Sequence, residues 1–70
     1  MDRIPVQSST LVSVGYDVST STLEIEFRNN SLFQYFGVPT EVYETLMASG
    51  SKGSYFHHNI KNAYPCSKIS

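Results

Sequence analysis

The chain has 70 residues and a formal net charge of −1, from five lysines and arginines against six aspartates and glutamates. This length predicts one small domain over residues 1–70, and a core of this size rarely supplies more than about 3–5 kcal/mol of net stability. Proteins that hold a nucleic-acid backbone non-specifically typically neutralise about 6–10 phosphates. Five scattered cations, offset by six acids, do not easily supply that charge, but they suffice for a ligand with about one to three phosphates.

The cysteine content and the hydropathy of the chain indicate the compartment of the protein and how it is stabilised. Cys66 is the single cysteine, so no disulfide forms within the chain, and a free thiol is typical of a reducing compartment. No stretch approaches the ~20 apolar residues of a membrane span, and no apolar run follows the N-terminal charges. We therefore expect a cytoplasmic, soluble protein with no membrane partner. Because neither a disulfide nor a metal is available to stabilise so small a core, we also expect a homo-oligomer.

Three segments show the patterns of β-strands. Residues 11–16 alternate between two faces, with Val12, Val14 and Tyr16 on one and Leu11, Ser13 and Gly15 on the other. Residues 23–28 alternate most clearly, with Leu23, Ile25 and Phe27 pointing inward and Glu24, Glu26 and Arg28 on a face expected to be solvated. The third strand is LFQYF, residues 32–36. Short polar connections between the three favour an antiparallel meander.

The orientation of the aromatic strand depends on the length of the turn before it. A two-residue turn, residues 29–30, directs Phe33 and Tyr35 to the open face of the sheet. A three-residue turn, residues 29–31, directs both rings into the core, because a slip of one residue inverts every side chain.

We favour the three-residue turn, which places Phe27 opposite Phe33 and Ile25 opposite Tyr35. It pairs aromatic with aromatic, a favourable cross-strand contact, and it leaves Gln34 on the polar face. The Tyr35 hydroxyl then needs a polar partner or an opening to water, so that it could still reach a ligand at the edge of the sheet.

After Pro39, the apolar residues recur with the spacing of an α-helix and no longer alternate with polar ones. The first helix is predicted to end at Gly50, and its apolar stripe is Val42, Tyr43, Leu46 and Met47. The second begins in the segment SKGS, residues 51–54, and ends at Tyr64 before Pro65. Its apolar face is Phe56, Ile60, Ala63 and Tyr64. The predicted fold is α+β, with order β-β-β-α-α: a three-stranded antiparallel meander, two helices on one face, an ordered core of about residues 6–65 and loose termini.

The pentapeptide Gly-Ser-Lys-Gly-Ser, residues 50–54, is a candidate anion site. Its glycines expose backbone N–H groups and its serines add hydroxyls at a helix start, where free amides and the helix dipole favour negative charge. The alternative is a tight joint in which Gly50 ends one helix, Ser51 caps the next and Gly53 allows close packing. Nearby cationic and aromatic side chains complete the candidate site. The candidate ligand-binding residues are therefore Tyr35, Ser51, Lys52, Gly53, Ser54, His57 and Lys61.

Several motifs within residues 6–65 occur together in one family. They are Val-Gly-Tyr-Asp, Gly-Val-Pro, Val-Tyr-x-x-Leu, Ser-Lys-Gly-x-Tyr-Phe and a final Tyr-Pro. As a set, they resemble the KTSC domain, which is named for its occurrence at the C-terminus of some lysyl-tRNA synthetases and also forms free-standing small proteins. The chain departs from the family at Phe33, where the family usually has Tyr, and at Asn30, where Gly is common. The resemblance implies the domain type and, through its synthetase context, RNA binding.

The sequence offers no constellation for catalysis or metal binding. Cys66 has no predicted histidine partner to activate it. His57 and His58 lie about 100° apart on a helix, which separates them onto different faces. We therefore expect a non-enzymatic module with no catalytic residues, no metal and no cofactor.

The expected function is binding of a compact phosphate-bearing ligand, a nucleotide or short oligonucleotide, with sequestration as one use. Lys52 and Lys61 would supply charge, and Tyr35 or His57 would flank the base. RNA binding is the first alternative. A protein–protein interaction module that uses the sheet edge, or exposed apolar residues such as Leu32 and Phe36, is the second.

Overall fold

A single antiparallel sheet and two helices build the molecule. The computed structural model describes residues 1–70. The elements in chain order are β1 (Ile4–Pro5), β2 (Leu11–Asp17), β3 (Thr22–Phe27), β4 (Leu32–Tyr35), α1 (Thr40–Ala48), α2 (Lys52–Asn59) and β5 (Cys66–Lys68). The strands follow one another across the sheet in chain order. The predicted α+β class is therefore confirmed, but the predicted count of three strands is wrong, because the sheet has five.

The two additional strands are the edges of the sheet. β1 pairs with β2 through Ile4 opposite Val14. β5, in a tail that was expected to be loose, pairs with β4 from Tyr35 opposite Cys66 to Phe33 opposite Lys68. Strands of two and three residues are too short to show a period of two. β1 and β5 are instead defined by their backbone hydrogen bonds to the neighbouring strands β2 and β4.

A β-bulge near the start of β2 changes which residues face the core. Leu11 lies opposite Phe27, but Ser13 lies opposite Glu26, so β2 contains one extra residue between these pairs. Leu11 and Val14 are consequently both fully buried. The prediction that Leu11 and Val14 point to opposite faces is wrong for this reason.

The β3–β4 hairpin turns both aromatic rings of β4 toward the core, as predicted. The predicted pairs are wrong, however, since Ile25 lies opposite Phe33 and Leu23 opposite Tyr35. The turn does contain three residues, but they are 28–30 rather than 29–31, and the Phe27 amide donates to the Ser31 carbonyl. The pairing thus moves by two residues, which leaves every side chain on its expected face.

The helices cover one face of the sheet and complete the core. α1 begins at Thr40, with Pro39 as its N-cap residue, and α2 ends at Asn59 instead of Tyr64. The backbone leaves the helix at Ile60, and the Lys61 amide donates to the Phe56 carbonyl in the closing turn. Neither helix has the length and apolar character needed to span a bilayer. The core is Leu11, Val14, Leu23, Ile25, Tyr35, Val38, Leu46, Phe56 and Ile60.

The N-terminal residues cover part of the opposite face of the sheet, around Gly15 and Glu24. Glu24, which was expected to be solvated, is only 6% exposed. The Arg3 guanidinium donates to its carboxylate over 2.6 Å, and the Gln34 amide donates over 2.8 Å. Burial by itself raises the pKa of Glu24, but these donors and the Arg3 charge lower it more, so the net pKa lies below its ordinary value. Gly15 permits this cover, because a Cβ there would meet the Asp2 carbonyl oxygen at 2.6 Å.

Candidate functional site

An open groove of about 790 Å³ lies between the sheet and α2, and we call it the aromatic groove. It forms where β3 and β4 meet the start of α2 and the segment that precedes β2. Its lining residues are Ser9, Thr10, Phe27, Arg28, Asn29, Ser31, Phe33, Tyr35, Gly53, Phe56, His57, Lys61, Asn62 and Cys66.

Four rings form the floor of the aromatic groove. Phe27 ends β3, Phe33 and Tyr35 alternate on β4, and Phe56 comes from α2. Phe27 packs edge-on against Phe33 and Phe56, with centroid distances of 5.8 and 5.3 Å. Tyr35 and Phe56 are buried, whereas Phe27 and Phe33 are half-buried. The two half-buried rings therefore offer the apolar surface on which a flat ligand could stack.

The Tyr35 hydroxyl has no hydrogen-bond partner in the protein, although 96% of the residue is removed from solvent. Every polar side-chain atom that is fully enclosed has a hydrogen-bond partner. Because the Tyr35 oxygen has none, it is not fully enclosed and reaches an opening. The only cavity that Tyr35 lines is the aromatic groove. Burial, with a smaller contribution from Cys66, raises the pKa of Tyr35 to about 12. The hydroxyl therefore stays protonated and faces the groove as both a donor and an acceptor.

Positive charge collects at the rim of the groove. The positive charges are those of Arg28 and Lys61, the imidazole of His57 lies beside them, and no aspartate or glutamate lines the groove. Arg28 is held in place by Nε and Nη2, which donate to the Ser8 carbonyl over 3.0 and 2.8 Å. The local charge is thus opposite in sign to the net charge of −1 on the whole chain, which favours an anionic group at the rim.

The predicted ligand-binding residues divide between two places. Tyr35, Gly53, His57 and Lys61 line the aromatic groove. Ser51, Lys52 and Ser54 instead line a neighbouring cavity of about 470 Å³, here called the polar hollow, which Gly53 also borders. The two cavities share Ser9, Thr10 and Gly53.

The start of α2 combines features of both interpretations of the Gly-Ser-Lys-Gly-Ser segment. Ser51 occupies the N-cap position but makes no side-chain cap, so no side chain caps the first turn of the helix. The Lys52 ammonium, however, donates to the Ser49 carbonyl over 2.9 Å, at the end of α1. A Cβ on Gly53 would approach the Thr10 hydroxyl to 3.0 Å. The segment therefore serves at least as a close-packed joint.

Sequence reasoning missed Arg28 and the three phenylalanines of the floor. Phe27 and Phe56 were assigned to the core, and so was Phe33 under the favoured three-residue turn. The half-burial of Phe27 and Phe33 depends on the gap between α2 and the sheet. Arg28 was placed on the charged face of β3 by alternation. The two asparagines that follow it could have indicated that the turn begins at residue 28.

Comparison with known proteins identifies close relatives of the whole chain. The KTSC domain pattern matches residues 7–64. The crystal structure of a KTSC domain protein from Yersinia pestis is 42% identical, covers 99% of this chain and 97% of its own, and superimposes with a TM-score of 0.96. A protein from Stutzerimonas stutzeri is 41% identical over 61 residues, which are 87% of this chain and 86% of that protein.

A second group of relatives contains the same domain within larger proteins. A lysine–tRNA ligase from a Nostoc species is 38% identical over 64 residues, or 91% of this chain. The ligase from Trichormus variabilis is also 38% identical over the same length. The chain corresponds to only 11% of each ligase.

Proposed function

This chain belongs to the KTSC domain family, and we propose that it is a non-catalytic module whose aromatic groove binds a compact ligand that joins a flat ring to phosphate, as a nucleotide or short oligonucleotide does. The observation that carries the proposal is the composition of the groove. Its floor is aromatic, its rim holds Arg28, His57 and Lys61, and no carboxylate lines it.

The two parts of such a ligand fit the two parts of the groove. The ring planes of Phe27 and Phe33 lie 83° apart, so a flat base stacks on one of them and meets the other edge-on. Stacking on one of these half-buried rings would contribute about 1–3 kcal/mol. Its phosphate would lie at the rim, within the field of Arg28 and Lys61 and beside the imidazole of His57. A volume of about 790 Å³ lies within the usual range of small-molecule sites.

We predict that Lys61→Gln weakens the binding of adenosine monophosphate about fivefold, because one exposed charge contributes about 1 kcal/mol. Isothermal titration calorimetry measures this loss. Lys52→Gln is the matched control, since Lys52 lies in the polar hollow and its ammonium donates to Ser49. A loss with Lys52→Gln and none with Lys61→Gln would move the phosphate to the start of α2. Failure of the unaltered protein to bind would reject the proposal.

RNA is the second candidate ligand, and the lysine–tRNA ligases that contain a similar domain favour it. A short single strand could stack one base in the aromatic groove while its backbone follows the rim. Titration of a short RNA at about 50 and about 200 mM salt separates the two candidates, because backbone binding weakens steeply with salt. Strong salt dependence with RNA and no binding of the mononucleotide would favour RNA.

A further inference from the structure

The tyrosine hydroxyl in the floor of the aromatic groove has no role in the fold. Tyr16 provides the contrast, because its hydroxyl donates to the Val38 carbonyl over 2.6 Å. Tyr35 is the more buried of the two, yet its hydroxyl makes no protein hydrogen bond. A phenylalanine would bury the same ring without exposing a polar atom to an apolar surface. The Tyr35 oxygen therefore acts only toward what enters the groove.

Its neighbours make this oxygen distinctive. The other floor residues, Phe27, Phe33 and Phe56, have no polar side-chain atom, and the cations lie at the rim. A flat ring that lies on these four side chains would meet the Tyr35 hydroxyl, which can donate one hydrogen bond and accept others. The hydroxyls of Ser9, Thr10 and Ser31 line the groove outside the four rings. In mostly apolar sites, a small number of such groups fixes ligand orientation and specificity.

We infer that the Tyr35 hydroxyl is the specificity contact of the aromatic groove and hydrogen-bonds the polar edge of the ligand's ring. The ligand is then a nucleobase joined to phosphate. A hydrocarbon ring joined to phosphate and a sugar phosphate without a base both lie outside this class. This inference rests on the proposed function. It adds the chemical group that the floor of the aromatic groove recognises, which is the polar edge of the base. A site that hydrogen-bonds its ligand discriminates strongly against analogues that lack the matching atom.

The experiment compares three compounds that each carry a single phosphate group: adenosine monophosphate, phenyl phosphate and ribose phosphate. We expect the unaltered protein to prefer the nucleotide over both others. Tyr35→Phe should weaken nucleotide binding about two- to tenfold, the loss of one neutral hydrogen bond. It should leave the affinity for phenyl phosphate unchanged. Tyr43→Phe is the matched control, because it deletes a hydroxyl that lies outside the groove.

The outcomes separate this inference from the proposed function. If Tyr35→Phe binds the nucleotide as well as the unaltered protein does, or loses the same factor with phenyl phosphate, the inference is wrong while the groove remains a ligand site. Equal affinity of the unaltered protein for all three compounds also overturns it. If none of the three binds, the proposed function fails as well. Thermal unfolding of both variants confirms that each retains the fold.

Discussion

Tyr35 combines a core role and a surface role in one side chain. Its ring packs edge-on against Phe56, with centroids 5.4 Å apart, and belongs to the buried cluster that joins sheet and helices. Its hydroxyl ends in the aromatic groove without a protein partner. Burial raises the pKa of this phenol from its usual 10.0 to about 12. The proton is consequently held in the folded protein at pH values where an unfolded chain has lost it.

We predict that the free energy of unfolding falls as the pH rises from about 10 to about 12. In this range the unfolded chain has released the Tyr35 proton and the folded chain still holds it, so alkali favours unfolding. The slope due to this residue is at most about 1.4 kcal/mol per pH unit, and it vanishes below about pH 10, where both states hold the proton. Urea denaturation at about pH 9 and about pH 11 measures it.

Tyr35→Phe is the reference for that titration, because subtraction of its stability removes the effect of the other tyrosines. The charged and titratable groups around the phenol are Cys66 of β5 and the rim residues Arg28, His57 and Lys61, and all remain in the variant. A stability difference between the two proteins that is the same at both pH values would contradict the prediction.

Among the elements, the β3–β4 hairpin determines the shape of the groove. Its three-residue turn ends with Asn30 at φ +69, a left-handed conformation that closes hairpins of this length. The turn holds Arg28 beside the Ser8 carbonyl, and it sets the register that brings Phe33 next to Phe27. Asparagine tolerates this conformation better than other residues with a Cβ, apart from aspartate.

We predict that Asn30→Ala destabilises the protein by about 1 kcal/mol, because alanine bears the full cost of a left-handed backbone. Asn30→Gly should be close to neutral, since glycine adopts this conformation freely but loses more entropy on folding. Urea denaturation measures both. Asn62→Ala is the control, because Asn62 has no positive φ, and it should change stability by less than about 0.5 kcal/mol. Equal losses for the alanine variants at both positions would show that the turn conformation is not responsible.

Over the whole molecule, charge is separated between the two faces of the sheet. On one face, Glu24 and Glu26 lie near Arg3, at 2.6 and 3.9 Å from its guanidinium. On the other face, the sheet and α2 border the open aromatic groove, whose rim is basic. A chain with a net negative charge can thus present a site that attracts anions.

The single thiol provides a direct probe of that site. Cys66 is exposed and lines the aromatic groove. We predict that adenosine monophosphate, at a concentration about ten times its Kd, slows alkylation of Cys66 by a maleimide about tenfold, because the ligand leaves only about one site in eleven open. Mass spectrometry follows the reaction, and sodium chloride of equal ionic strength is the control. Binding without protection would place the ligand outside the groove.

Much of the architecture follows from local patterns. The alternation in β3 and the apolar stripe of α1 predicted both elements, since each pattern spans enough residues to define a period. The inward direction of Phe33 and Tyr35 followed from the polar character of Gln34. The same reasoning failed at Leu11, because a bulge adds one residue that no side-chain pattern marks.

The amino-acid sequence by itself determined the α+β class and the order of the central elements, and it favoured the core side of the sheet for the rings of Phe33 and Tyr35. These depend on hydrophobic periodicity, which acts over neighbouring residues. Only the tertiary structure decided the edge strands, the burial of Glu24 beneath Arg3 and the position of Arg28 at the groove that Tyr35 and Lys61 line. Each of these depends on contacts between residues far apart in the chain, whose distances no local pattern specifies.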